Sequence, residues 1–150
     1  MKAVRSEGRI LLCEGYKDVL AFHASGIRYA VGLCGTALTE EHIRAIRRLA
    51  GQVTLSLDPD PAGRQNTVRC AHMLLSEGCA VSLLPLPDGM DPDEVYRRKG
   101  SDELARLARE GTLDYLSYRI RQAASRPHTD TAAINGALGE IGLLSSPLAV

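Results

Sequence analysis

Short apolar runs alternate with longer stretches in which apolar positions recur every three or four residues. Arg9-Ile10-Leu11-Leu12-Cys13 reads as a buried strand that ends at Glu14-Gly15. Val19, Leu20, Phe22 and His23 then fall at helical spacing between Asp18 and Ala24, and Ser25-Gly26 stops that helix. Tyr29 to Leu33 is a second strand, followed by a loop at Gly35-Thr36-Ala37-Leu38. Thr39, with Glu40 and Glu41 behind it, has the chemistry of a helix N-cap. The helix it opens carries Ile43, Ile46 and Leu49 on one side and Arg44, Arg47 and Arg48 on the other, and runs to about Ala50.

Val53 to Leu57 is the third strand and leads into Asp58. A helix from about Ala62 to Glu77 ends at Gly78, and Ala80 to Leu84 is the fourth strand. Pro85, Pro87 and Gly89 make a stiff loop before Asp91. Beyond it the pattern is helical over Asp93–Lys99, Ser101–Glu110 and Thr112–Ala124, punctuated by Gly100 and Gly111. Ser125-Arg126-Pro127-His128 reads as a linker, and Asp130 to Leu144 as one further helix. Strands alternating with helices imply right-handed βαβ units, hence an α/β fold with a Rossmann-like parallel sheet of about four strands. The expected organisation is one domain over residues 1–124, with a linker and the start of a helical extension over 125–150.

Composition narrows the function. Apolar residues make up 45% of the 150, aromatics only 4% with no Trp, so the core is built from Leu, Ile, Val and Ala. Lys plus Arg and Asp plus Glu stand at 18 each, giving zero net charge, whereas a free-standing nucleic-acid binder carries a basic excess. Cys13, Cys34, Cys70 and Cys79 form no Cys-x-x-Cys pair, which argues against a zinc site or a disulfide framework. Cys13, Cys34 and Cys79 lie in or beside apolar runs and read as reduced core residues. With no signal-peptide layout and no long apolar run, the expected setting is cytoplasmic, without a membrane.

The candidate chemistry lies in three acidic clusters, each at the end of an expected strand: Glu14 and Asp18, Asp58 and Asp60, Asp91 and Asp93. In an open parallel sheet the carboxyl ends of the strands share one edge, where ligands bind. Carboxylates converging there repel one another unless a cation neutralises them. An oxygen-only donor set suits Mg²⁺ or Mn²⁺, and such sites commonly serve phosphoryl chemistry. Each cluster has a plainer reading too. Asp58-Pro59-Asp60-Pro61 is also turn chemistry, Asp18 suits a first helical turn, and Asp91-Pro92-Asp93-Glu94 suits a helix start. The three in series are more specific than any one. His23, His42, His72 and His128 show no mutual ligand spacing, no Gly-x-x-x-x-Gly-Lys-Ser/Thr run occurs, and Ser25 and Ser56 lack a nucleophile-elbow context. An aspartyl-phosphate mechanism would need a Lys at a later strand end, and the neighbours of Leu84 supply none.

Four segments resemble the toprim domain of bacterial replicative (DnaG-type) primases, in order and at similar spacing. They are Glu14-Gly15-Tyr16-Lys17-Asp18, Gly35-Thr36-Ala37-Leu38-Thr39, Asp58-Pro59-Asp60-Pro61-Ala62-Gly63-Arg64 and Leu86-Pro87-Asp88-Gly89-Met90-Asp91-Pro92-Asp93. The resemblance covers about residues 9 to 120. It implies RNA primer synthesis on a single-stranded DNA template from ribonucleoside triphosphates, a nucleotidyl transfer using two or more Mg²⁺ or Mn²⁺ ions. It carries family site positions onto Glu14, Asp18, Asp58, Asp60, Asp91 and Asp93, with Glu14, Asp58 and Asp60 innermost and catalytic, and places Gly35 and Thr36 in a substrate-side loop. It further implies a replicative helicase as partner through regions absent here. A zinc-binding domain and a basic subdomain precede toprim in such primases, so a neutral chain without them is expected to have little or no activity alone.

One position departs from the family pattern. Pro59 stands where a Gly usually separates the paired aspartates, and its fixed negative φ forbids any turn that needs φ > 0 there. Two other functions fit the same fold: a toprim-type nuclease in which Glu14 handles the proton, and a non-catalytic toprim-like binding module.

Overall fold

The computed structural model describes residues 2–124 together with 135, 136 and 139. The expected linker and nearly all of the helix expected over Asp130–Leu144 lie outside the described residues. The chain divides into two compact units, the first ending at Leu113 and the second beginning at Asp114.

The first unit runs α1 (Lys2–Glu7), β1 (Arg9–Cys13), α2 (Tyr16–Ala24), β2 (Ala30–Gly32), α3 (Glu40–Leu49), β3 (Gln52–Ser56), α4 (Pro61–Ser76) and β4 (Ala80–Leu83), then a 3₁₀ turn (Pro87–Gly89), α5 (Pro92–Lys99) and α6 (Ser101–Glu110). At the junction of the units lies the two-residue β5 (Leu113–Asp114), followed by α7 (Tyr115–Ala124). The sheet order is β2-β1-β3-β4-β5, and the β1–β2, β1–β3 and β3–β4 pairs are all parallel. The α/β class and the four expected strands are therefore present, with a fifth short strand added.

Local chemistry explains the boundaries. Thr39 caps α3 by accepting the His42 backbone N–H at 3.3 Å. Gly100, at φ 88, separates α5 from α6. The continuous helix expected from Thr112 does not form. Instead Asp114 accepts the Ser117 backbone N–H at 2.9 Å, so α7 begins only at Tyr115. Helix α1 was not expected from the pattern, because only Val4 of its six residues is buried.

The core is aliphatic, as the composition required. Phe22, Leu11, Ile27, Leu38, Ile43, Leu55, Leu74 and Leu104 are fully buried. Each contributes about 2 kcal/mol of transfer free energy. The topology then fixes where a site can form. From β1 the chain crosses to β2 on one side, and from β3 it crosses to β4 on the other. Right-handed crossovers therefore put α2 on one face and α3 and α4 on the opposite face. In agreement, α2 packs with α5 and α6, while α3 packs with α4. The carboxyl ends of β1 and β3 are the switch point of the sheet.

Candidate metal centre

Strands β1 and β3 are hydrogen-bonded neighbours whose register pairs Cys13 with Ser56. Glu14 follows the first strand directly and Asp58 comes two residues after the second, so two residues 44 apart in sequence meet at one edge. The Asp58 backbone N–H donates to Glu14 Oε2 at 3.3 Å.

A second constraint sets the turn after Asp58. A Cβ added to Gly63 would stand 2.1 Å from the Asp58 carbonyl oxygen. Gly63 is thus needed for space, not for a left-handed backbone. Its N–H donates to Asp60 Oδ1 at 2.6 Å, which makes Asp60 the N-cap of α4, with Pro61 at the first helical position. Pro59 is accommodated without strain. The only non-glycine residues at positive φ among the described residues are Cys34 and Asp88, so the turn between the paired aspartates uses none. The Pro59 carbonyl accepts a hydrogen bond from the Arg64 guanidinium, a role for Arg64 that the sequence did not disclose.

The remaining acidic residues arrive from α2 and α5, which pack together. Asp18 is only 6% exposed and accepts the Gly15 backbone N–H at 3.0 Å. Asp91 caps α5 by accepting the Glu94 N–H at 2.6 Å, while Glu94 Oε2 accepts the Asp91 N–H at 3.4 Å. Asp93 Oδ2 pairs with Arg97 at 2.9 Å, one turn along. The plainer readings of Asp18 and Asp91 as helix-terminal residues are thus also realised. Serving a cap does not remove a carboxylate from the site, because each cap uses one oxygen of two.

Electrostatics ties the clusters together. Burial raises the Asp58 carboxyl, and the charges of Glu14, Asp18, Asp91 and Asp60 add to this, so that it is pushed up to about 6. Asp18 is also raised, first by burial, against the pull of the Gly15 N–H, and further by the charges of Asp91 and Asp93. Anionic carboxylates from three strand ends therefore act on one another, in an oxygen-only donor set of the kind Mg²⁺ or Mn²⁺ accepts. Among the described residues, no three His, Cys, Asp or Glu side chains already stand together closely enough to hold an ion. The chemistry of the donors fits a divalent cation, and ligation requires the side chains to draw in from their present partners.

The Gly35-Thr36 loop is fastened to the same strand end. The Cys34 N–H donates to the Glu14 carbonyl at 2.8 Å, and Gly35 follows at φ 80. The Thr36 hydroxyl is committed within the loop, donating to the Leu33 carbonyl at 2.5 Å. Thr36 also borders an apolar cavity of about 240 Å³ between the sheet and α3, lined by Leu12, Val31 and Ile46 among others. Cys34, expected in the core, is instead exposed, because it sits at φ 51 in this turn; Cys13, Cys70 and Cys79 are buried. Two of the histidines have structural partners: His23 Nε2 meets the Ala30 carbonyl at 3.1 Å, and His42 belongs to the α3 cap.

A family profile described as Toprim-like matches residues 11–96. The chain is 37% identical over 119 residues to a DNA primase of Halalkalibacterium halodurans, an alignment covering 79% of this chain and 20% of that protein. Its fold is similar to the RNA polymerase domain of Mycobacterium tuberculosis primase DnaG, with a TM-score of 0.83 at 27% identity, covering 97% of this chain and 49% of that one. It is also similar to a DnaG primase catalytic domain bound to single-stranded DNA, with a TM-score of 0.66 at 29% identity, covering 79% of this chain and 39% of that one. The chain spans about a fifth of the length of the curated relatives it matches.

Proposed function

Because the chain belongs to the toprim-like family, we propose that it is the catalytic core of a bacterial-type primase, joining ribonucleotides into RNA primers on single-stranded DNA in the cytoplasm. The observation that carries this reading is the convergence of charge on Asp58, whose carboxyl is pushed up to about 6 by burial and by four carboxylates from three strand ends. Nothing in a structural turn requires such an arrangement, whereas a site for divalent cations does. The similarity to a primase domain bound to single-stranded DNA supports the choice of template.

Glu14, Asp58 and Asp60 are the innermost ligands in this reading, and Asp18, Asp91 and Asp93 complete the site. Two or more Mg²⁺ or Mn²⁺ ions would supply Lewis-acid activation of the primer 3′-hydroxyl and neutralisation of the triphosphate. The chain's own part is to fix the donors. The β1–β3 pairing sets the spacing of Glu14 and Asp58, and the Asp60 cap with Gly63 orients the start of α4. Asp18 stays anchored by Gly15, where it faces the Asp91–Asp93 segment. The Gly35-Thr36 loop, tied to the Glu14 carbonyl through Cys34, is assigned to the substrate side. The helicase partner and the template-gripping surface belong to other parts of the polypeptide.

The test is primer synthesis by the full-length polypeptide. Asp58→Asn should reduce the rate by at least ~100-fold with the fold intact, since even outer-shell partners of metal sites are worth 10–100-fold. Normal synthesis by that variant would refute the assignment.

A further inference from the structure

Two thiols flank Glu14 in space, and the chemistry assigned to the carboxylates uses neither. Cys13 immediately precedes Glu14, is fully buried at 0% exposure, and lies opposite Gly32 in the β1–β2 register. Cys34 is exposed, and its N–H holds the Glu14 carbonyl at 2.8 Å. The link between the two sulfurs runs through Gly32. A Cβ built on Gly32 would stand 3.0 Å from Cys34 Sγ, so that sulfur occupies the space a side chain at Gly32 would fill. Residues paired across two strands project to the same face, about 5 Å apart. The Cys34 sulfur therefore lies on the face of the sheet from which the Cys13 side chain projects, one strand away. Cys34 sits at φ 51°, a conformation unusual for a non-glycine residue.

We propose that Cys34 and Cys13 form an oxidation site, in which Cys34 takes the oxidant and Cys13 closes an intramolecular disulfide across the end of β1. With a hydroperoxide as oxidant, the Cys34 thiolate attacks the peroxide oxygen. The O–O bond breaks, and Cys34 becomes a sulfenic acid while the first water or alcohol leaves. The Cys13 sulfur then attacks the sulfenic sulfur; the S–S bond forms, the S–OH bond breaks, and its hydroxyl departs as water with the thiol proton. Two electrons pass from the two thiols to one peroxide. The division of labour follows from exposure, since Cys13 is closed to solvent and Cys34 is open to it. The crosslink would join the residue before Glu14 to the residue before Gly35, and so would displace the strand end that presents the carboxylate. Thiol reductants would restore it.

Treatment of the folded chain with hydrogen peroxide, followed by alkylation of remaining thiols and tryptic peptide mapping, tests the site without reference to activity. The expected result is a crosslink between peptides 10–17 and 29–44 that is reversed by dithiothreitol, with Cys70 and Cys79 alkylated as free thiols. In Cys34→Ser the crosslink should vanish and Cys13 should remain reduced. In Cys13→Ser, Cys34 should accumulate as the sulfenic acid or its further oxides. Oxidation of Cys34 without the crosslink in the parent, or oxidation of Cys13 in Cys34→Ser, would overturn the proposal.

Discussion

The backbone N–H of Asp58 donates to Glu14 Oε2 at 3.3 Å, so the acidic residue at one strand end is hydrogen-bonded to the chain at the next. The two are neighbours only because β1 and β3 are, and those strands are adjacent at the point where the sheet reverses its direction of growth. The contact brings the Glu14 carboxylate against the segment that carries the Asp58 carboxylate, and the charge of Glu14 raises the Asp58 carboxyl. The arrangement sacrifices stability.

That sacrifice is measurable. The Asp58 carboxyl is pushed up to about 6 from an ordinary 3.8, so the folded chain holds this proton more tightly than the unfolded one. A raised carboxyl pKa gives a stability contribution present in full below the unfolded value and lost as pH rises through the folded one. Asp58→Asn should therefore be more stable than the parent at pH 8 in chelator, by about 1–2 kcal/mol after allowance for solvent screening. The gain should shrink as pH falls through 6 and vanish near 4. Urea denaturation at three pH values checks this, and a mutant less stable than the parent at pH 8 would show that the carboxylates are not in mutual repulsion.

Asp60 should behave differently, because it has a structural task as well. Its Oδ1 accepts the Gly63 N–H at 2.6 Å, a bond that Asn can replace and Ala cannot. Asp60→Asn should match the parent within ~0.5 kcal/mol, while Asp60→Ala should lose about 1 kcal/mol. Both should lose the response to divalent cations. Comparing the two substitutions separates the cap from the site.

Gly63 supports Asp58 through space alone. Gly63→Ala puts a methyl group 2.1 Å from the Asp58 carbonyl oxygen and 2.8 Å from its carbon, in backbone that cannot move aside like a side-chain tip. The expected loss is about 3 kcal/mol, in the range of overpacked cores. Gly51→Ala is the control: nothing lies within 4 Å of a Cβ there, and the change should stay within ~0.5 kcal/mol.

Much of this was legible in the sequence. The apolar runs at Arg9–Cys13 and Val53–Leu57 placed β1 and β3, and the acidic clusters behind them marked the sheet edge. Asp18, Thr39 and Pro92 marked helix starts through their chemistry. Strand order was not legible, because periodicity carries no information about which strands pair, and the meeting of Glu14 with Asp58 depends on it. The cap at Asp114 was missed because a helical pattern runs through Thr112 to Ala124 regardless of where its first turn begins. Cys34 was misplaced because its apolar neighbours suggested a core, and a single φ of 51° reverses that. The reason for Gly63, an approach of one backbone to another, has no local signature at all.

The most direct measurement is the melting temperature of the chain during Mn²⁺ titration, in parallel with Asp58→Asn. A ligand that binds only the folded state stabilises it by RT ln(1 + [L]/Kd), about 2.7 kcal/mol at one hundred times Kd. The parent should start below the mutant at pH 8 and rise past it as Mn²⁺ is added, while the mutant stays flat. A parent whose melting temperature does not move at millimolar Mn²⁺, or a mutant that rises equally, would contradict the assignment of the Glu14, Asp58 and Asp60 edge as a cation site.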